Sequence, residues 1–315
     1  MSKIAFIYPG QGAQKAGMGV DFYENSEIAR YIFDQAGEEL DLDMKELCFE
    51  ENDRLDLTEY TQAAMVTTCL AMTRVAESKG LKADITAGLS LGEYPAIAAA
   101  GGMNDMDAIR LVRKRGILMQ NTVPAGEGAM CAVISMAAEE IEKVIEPIAD
   151  VSVANYNCPG QIVITGKTDA VEEAAAKLKE AGARRTIMLN VSGPFHSQML
   201  VPAGEKLAEE LEHTRFHELR IPYVTNVTAE KVTDIRETPE LLTTQISSPV
   251  RWMQSMERMI ADGVDTFVEI GPGKTLEGFL RKIDRSVKVF HISQWEDVDK
   301  VCTELADSGK MMEEA

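Results

Sequence analysis

The chain has 315 residues, 45% of them hydrophobic and 26% charged, the proportions of an ordinary globular protein long enough for a large domain carrying a smaller one. A formal charge of −19 argues against a nucleic-acid partner, because phosphate contacts need a basic footprint, and it requires any anionic ligand to be met by a local cation. No stretch approaches about 18 uninterrupted apolar residues, so no membrane span is predicted, and the opening MSKIAFIYPG is too short in its apolar run for a signal peptide. Five cysteines (Cys48, Cys69, Cys131, Cys158 and Cys302) lack CxxC spacing, which points to reduced thiols in the cytoplasm and away from disulfides or a zinc site.

In chain order, KIAFIYP reads as a strand ending in the glycine-rich turn PGQGAQKAGMG. TQAAMVTTCLAMTRVAESKG has helical spacing and stops at Gly80. ADITAGLS is a short strand, LGEYPAIAAAGG a small-residue helix after it, and MDAIRLVRKRGILMQNTV a further helix. The pattern changes near Pro124: strand GAMCAVISM, helix AAEEIEKVIEPIA, strands VSVANYN and QIVITGK, helix TDAVEEAAAKLKEAG and strand ARRTIMLN follow. That βαββαβ order within roughly 70 residues predicts a ferredoxin-like subdomain over 125–192, inserted between 1–124 and 193–315. Helices around MLVPAGEKLAEELEH and PVRWMQSMERMIADG and strands DTFVEI and VKVFHI return to the main body, and MMEEA reads as a frayed tail. Strands alternating with helices predict an α/β fold with a largely parallel sheet.

Within AGLSLGEY, Ser90 stands between Gly88 and Gly92 in a G-x-S-x-G pattern. The bare pattern arises by chance roughly once in ten chains of this length, so its context must carry it. Here a strand precedes it and a helix follows, the setting in which a serine hydroxyl projects clear of the backbone as a nucleophile. A buried structural serine is the bland alternative. A serine needs a base, and only four histidines exist. His213 and His217 sit among charges and read as a solvated face. His291 ends a late strand, where a hydrolase would carry its base. His196 follows a strand and a Gly-Pro turn that would hold its ring rigidly, and on spacing it is favoured over His291. The loop PGQGAQ lacks GK[ST] and a true GxGxxG, since Lys15 stands at the third glycine position. It is better suited to presenting a backbone N–H that, with the N–H of Leu91, makes an oxyanion hole. Arg115 precedes Gly116 in an apolar helical context and suits bidentate capture of a carboxylate, against the reading of a surface arginine that fits Arg113 and Lys114.

Five separated motifs, PGQGAQ (9–14), GLSLGEY (88–94), RGILMQ (115–120), GPFHSQM (193–199) and EIGPGKTL (269–276), fall in the order found in the malonyl-CoA:acyl carrier protein transacylases. NYNCPGQIVITG (155–166) and QISSPVRW (245–252) are similar to further segments of that family, so the resemblance covers nearly the whole chain. It implies an α/β-hydrolase-like large domain with a ferredoxin-like insert. It also implies a malonyl ester on Ser90, with His196 as base and acid, and a Gln245 backbone carbonyl that orients the histidine. The oxyanion donors it implies are the N–H groups of Gln11 and Leu91, and Arg115 is the carboxylate partner. Met119, Asn155, Asn157 and Phe195 fall near the substrate, Phe195 crowding a methyl branch on the acyl group. The implied partners are malonyl-CoA and an acyl carrier protein that brings phosphopantetheine, with no cofactor or metal of the enzyme's own and a monomer expected. Arg113, Lys114, Arg184 and Arg185 are candidates for meeting an acidic carrier. The chain departs from the family at Leu89, where histidine is usual, which places the elbow's local support in question.

Two other readings stay open on the residues. A thioesterase or hydrolase would use Ser90 with His291 and Asp265 or Glu269, and a non-enzymatic scaffold would only dock carriers. A transacylase serving a polyketide synthase in trans, rather than fatty acid synthesis, is another outlet for the same chemistry.

Overall fold

A computed structural model describes residues 3–307. The predicted tail MMEEA lies outside the described residues. Among the described residues, ten strands divide between two sheets. The larger holds β1 (Lys3–Tyr8), β2 (Ile85–Gly88), β7 (Tyr223–Val224), β8 (Lys231–Val232), β9 (Val264–Ile270) and β10 (Lys288–Ile292) in the order β10-β9-β1-β2-β7-β8. All neighbours are parallel except the edge pair β7–β8. KIAFIY forms the central strand because it is apolar at every position after Lys3, the composition of a parallel strand covered on both faces. Its register pairs Tyr8 with Gly88 on one side and Ile7 with Glu269 on the other.

That central position decides where a site can form. The chain leaves β1 toward β2 on one side and meets β9 on the other, so the loops after these strands diverge and leave a crevice at their carboxyl ends. PGQGAQ, the serine turn and GPGK all emerge there.

The helix Thr58–Ser78 is buried on nearly every side between Thr61 and Thr73, as a run dominated by Ala, Thr, Met, Val and Leu requires. It crosses the helix Asp105–Asn121 so closely that a Cβ on Gly116 would lie 2.9 Å from Glu59 Cα. Among the described residues, no helix is long and apolar enough to cross a membrane, and all five cysteines are free thiols.

The smaller sheet is antiparallel, in the order β4-β5-β3-β6, from β3 (Gly128–Ile134), β4 (Val151–Cys158), β5 (Gln161–Lys167) and β6 (Arg185–Met188). With the helices Ala138–Ile145 and Thr168–Glu180 it encloses its own core around Val133, Ile141, Ile164, Val171 and Leu178. The βαββαβ order agrees with the sequence, but β6 ends at Met188, two residues before the predicted strand does. Leu189–Ser192 instead turns away to wall the crevice. A parallel bridge, with the N–H of Tyr156 donating to Val250 O at 2.9 Å and that of Val250 to Ala154 O at 2.8 Å, ties β4 to the main body. It also delays the predicted helix at 249–263, which starts only at Trp252.

Both glycines of the serine turn are required by close approach. A Cβ on Gly88 would lie 1.8 Å from Gly92 O, and one on Gly92 would lie 2.4 Å from Tyr8 O. Gly92 has φ −63°, where alanine is conformationally preferred, so only the clash opposes the substitution. Gly92→Ala is expected to destabilise the fold by about 2 kcal/mol, because the Tyr8 carbonyl belongs to the central strand and has no room to retreat. Equilibrium urea unfolding checks this, and a variant as stable as the parent contradicts it.

Candidate active site

The turn after β2 places Ser90 at φ 56°, a left-handed conformation that costs a non-glycine residue about 1–2 kcal/mol. Asn226 holds it there. Its Oδ1 accepts from the Ser90 N–H at 2.7 Å and its Nδ2 donates to Gly88 O at 2.7 Å, bracketing the serine from both sides. The hydroxyl is aimed into a cleft of about 730 Å³ between the two sheets, lined by Gln11, Leu91, Met119, Asn155, Phe195 and His196 among others.

His196 also has a positive φ, 60°, in the loop entered through Gly193 and Pro194. Its Nε2 lies 2.8 Å from Ser90 Oγ and its Nδ1 lies 2.9 Å from the backbone oxygen of Gln245. A carbonyl can only accept, so the network assigns the ring proton to Nδ1 and leaves the Nε2 lone pair facing the hydroxyl. Burial pushes the imidazole down to about 4, with the nearby Arg115 charge acting in the same sense. The ring is therefore neutral at pH 7 and able to accept the serine proton.

Arg115 is fully buried. Its guanidinium donates to Gln62 Oε1 at 2.7 Å, to Ser90 Oγ at 3.0 Å and to Gln245 Oε1 at 3.0 Å, while its Nε has no partner. Burial pushes its pKa down, opposed by Tyr94 and Glu93. Among the described residues no carboxylate is bonded to it, which leaves a cation beside Ser90 able to receive one from a ligand. Arg113 and Lys114, two residues and one residue earlier, are engaged elsewhere with Glu59 and Glu210. Arg184 and Arg185 are exposed at the start of β6.

Gln245 does more than offer its backbone carbonyl. Its Nε2 donates to Ser90 O at 3.0 Å and to Glu93 Oε2 at 2.6 Å, so the side chain connects the elbow to the arginine. Glu93 is fully buried, and its carboxyl is pushed up to about 7 by desolvation, opposed by Gln245, Thr225, Asn226 and the Arg115 charge. The roles of Gln62, Glu93 and Asn226 had not been read from the sequence. Gln62 was visible as a polar residue in an apolar helix, whereas Asn226 carries no local signal, its partners being 136 and 138 residues away.

His291 is elsewhere. It lies on β10 with Nδ1 3.1 Å from Glu277, and Glu269 caps the helix Thr275–Ile283 by accepting the N–H groups of Leu276 and Glu277. His291 and Glu269 of the alternative reading are thus committed to other contacts, Asp265 accepts from Thr266 Oγ1 at 2.8 Å, and Ser90 is paired with His196. Leu89 lines the cleft, its Cδ2 2.7 Å from where a Cβ on Gly10 would stand, so the side chain packs against the first loop. Asn157 also lines the cleft, with its Oδ1 buried and unpartnered. Among the described residues, no group of three or more His, Cys, Asp or Glu is placed to hold a metal ion.

A strained serine bonded to a neutral histidine beside a buried arginine defines an acyl transferase site, and the family comparison agrees: residues 5–298 match the acyl transferase domain. The malonyl CoA-acyl carrier protein transacylase of Bacillus subtilis (strain 168) is 45% identical over 95% of this chain and 96% of its own length. The crystal structure of the malonyl CoA-acyl carrier protein transacylase from Clostridium perfringens superposes with a TM-score of 0.94 at 42% identity, covering 98% of each chain. A malonyl-transacylase solved in complex with a type II PKS acyl-carrier protein has a TM-score of 0.93 at 35% identity, covering 96% of this chain and 100% of its own. The chain belongs to the malonyl CoA-acyl carrier protein transacylases.

The protonation state of His196 is directly testable. Nitrogen-15 NMR is expected to show the neutral, Nδ1-protonated ring at pH 7, charging only as pH falls toward about 4. Because the folded value lies below the ordinary 6.5, this group also costs the fold stability as pH falls from 6.5 toward 4. An imidazolium at His196 near pH 6.5 contradicts the assignment.

Proposed function

We propose that the protein moves a malonyl group from malonyl-CoA to the phosphopantetheine thiol of an acyl carrier protein through an ester on Ser90, supplying fatty acid synthesis. The observation that carries this reading is the double contact on Ser90 Oγ, from the His196 base at 2.8 Å and from the buried Arg115 guanidinium at 3.0 Å. A general serine hydrolase has no use for an unneutralised arginine at its nucleophile. An acid whose far end is a carboxylate does.

Each half-reaction uses the same groups. Ser90 Oγ attacks the thioester carbonyl as Nε2 takes its proton, and the tetrahedral oxyanion is met by the N–H groups of Gln11 and Leu91, both on the cleft wall. Collapse expels CoA, whose sulfur takes the proton back from His196. The carrier thiol then attacks the serine ester, loses its proton to Nε2, and Ser90 leaves with it. Arg115 exchanges its contacts with the Gln62 and Gln245 oxygens for the malonyl carboxylate. Met119, Asn155 and Phe195 bound the acyl pocket, and the buried Phe195 ring next to the base restricts branching at the acyl α-carbon. Both thiols arrive with the substrates, so the chemistry calls for no resident cofactor. The likeness to a transacylase bound to an acyl-carrier protein supports a carrier as acceptor.

On this reading, the described residues of 1–124 and 193–315 form an α/β-hydrolase-like body and 125–192 a ferredoxin-like subdomain, supported by the strand orders of the two sheets. The cleft between them is the acyl site.

A panel of acyl-CoA donors with holo carrier protein tests the specificity. Arg115→Ala is expected to lower malonyl transfer roughly 100-fold, the loss of a charge-assisted pair worth about 3 kcal/mol, and to erase most of the preference for malonyl over acetyl. Phe195→Ala is expected to raise methylmalonyl relative to malonyl transfer by roughly tenfold. Unchanged preferences in both variants contradict these roles.

A further inference from the structure

Gln245 occupies an unusual position, because one residue touches His196, Arg115 and the backbone of Ser90. Its backbone oxygen takes His196 Nδ1–H at 2.9 Å, its side-chain oxygen takes Arg115 at 3.0 Å, and its side-chain nitrogen donates to Ser90 O at 3.0 Å. A primary amide has two N–H donors and one carbonyl acceptor. Only one of its two orientations serves this site, and Glu93 selects it together with Arg115 and Ser90 O. Glu93 Oε2 accepts from Gln245 Nε2 at 2.6 Å and from the Asn226 N–H at 3.2 Å, inside a fully buried pocket. Turned over, the amide would set its oxygen against the Glu93 carboxyl and Ser90 O, and its NH₂ against the Arg115 cation. With the carboxyl ionised, both ends would then be repulsive in a region where water cannot screen them.

We propose that Glu93 is a positioning residue for the acyl transfer, an acceptor that holds the Gln245 amide in the one orientation that aligns His196, Arg115 and Ser90 together. Glu93 touches no substrate in this account; it acts through Gln245. Its place in the chain makes this possible. The helix Glu93–Ala99 begins three residues after the nucleophile, so the same turn that strains Ser90 delivers the carboxyl beneath it. Asn226 closes the arrangement, spanning Ser90, Gly88 and Glu93 with three hydrogen bonds. The inference rests on the malonyl-transfer reading of Ser90.

The test compares Glu93→Gln with Glu93→Met in single-turnover acylation by malonyl-CoA, read by intact mass, with thermal melting alongside. Gln keeps an acceptor oxygen, whereas Met keeps the length and removes the acceptor. Glu93→Gln is expected to acylate within about threefold of wild type, and Glu93→Met to be slower by roughly 10- to 100-fold, the scale of loss from misplaced catalytic groups. The loss in Glu93→Met is expected to exceed anything its melting temperature accounts for. Three results overturn the proposal: wild-type acylation by folded Glu93→Met, equal losses in both variants, or a loss above tenfold in Glu93→Gln. The last decides the matter alone if Glu93→Met does not fold. A wild-type enzyme that forms no adduct overturns the underlying reading of Ser90 instead, and the inference with it.

Discussion

The 2.8 Å contact between Ser90 Oγ and His196 Nε2 joins residues 106 apart, each held at a positive φ that an L-residue resists. Neither conformation would persist in an isolated loop. Ser90 is kept by two glycines that let the following helix fall against β1 and by the Asn226 bracket. His196 is kept by the Gly-Pro approach and by the Gln245 carbonyl. The strain is therefore offset by packing around the central strand, and most of the fold's precision is directed at these two backbones. The crevice exists because β1 has parallel neighbours on both sides, and the second sheet closes it by turning Leu189–Ser192 over the opening.

The electrostatics of the site follow from what orients the histidine. A carboxylate on Nδ1 would raise the imidazole pKa and compete for Arg115. A neutral carbonyl does neither, so the ring stays uncharged and the guanidinium is left without a bonded carboxylate among the described residues. The remaining carboxyl, Glu93, is set one residue away from the chemistry behind the Gln245 amide, where burial pushes it up to about 7. A chain of net charge −19 thus keeps a buried guanidinium beside Ser90, the local cation that the proposed anionic acyl group requires.

Much of this was legible in the sequence where the signal is local. β1, the serine turn and the βαββαβ order are written in apolar runs, glycine spacing and periodicity, and each lies where it was expected. His196 was separable from His291 by its Gly-Pro setting, and the contact of His291 with Glu277 completes that choice. The strands β7 and β8, at two residues each, are too short to leave a pattern. Asn226 and the side-chain role of Gln245 depend on partners more than 100 residues away, so nothing near them in sequence announces their work. Glu93 was in view within GLSLGEY, yet only its burial against Gln245 gives it a function.

Intact mass spectrometry after brief mixing with malonyl-CoA is the most direct measure of the central claim. The wild-type chain is predicted to gain the mass of one malonyl group, Ser90→Ala to gain none, and His196→Ala to gain it far more slowly. An unmodified wild-type chain, or an adduct that survives Ser90→Ala, contradicts the account.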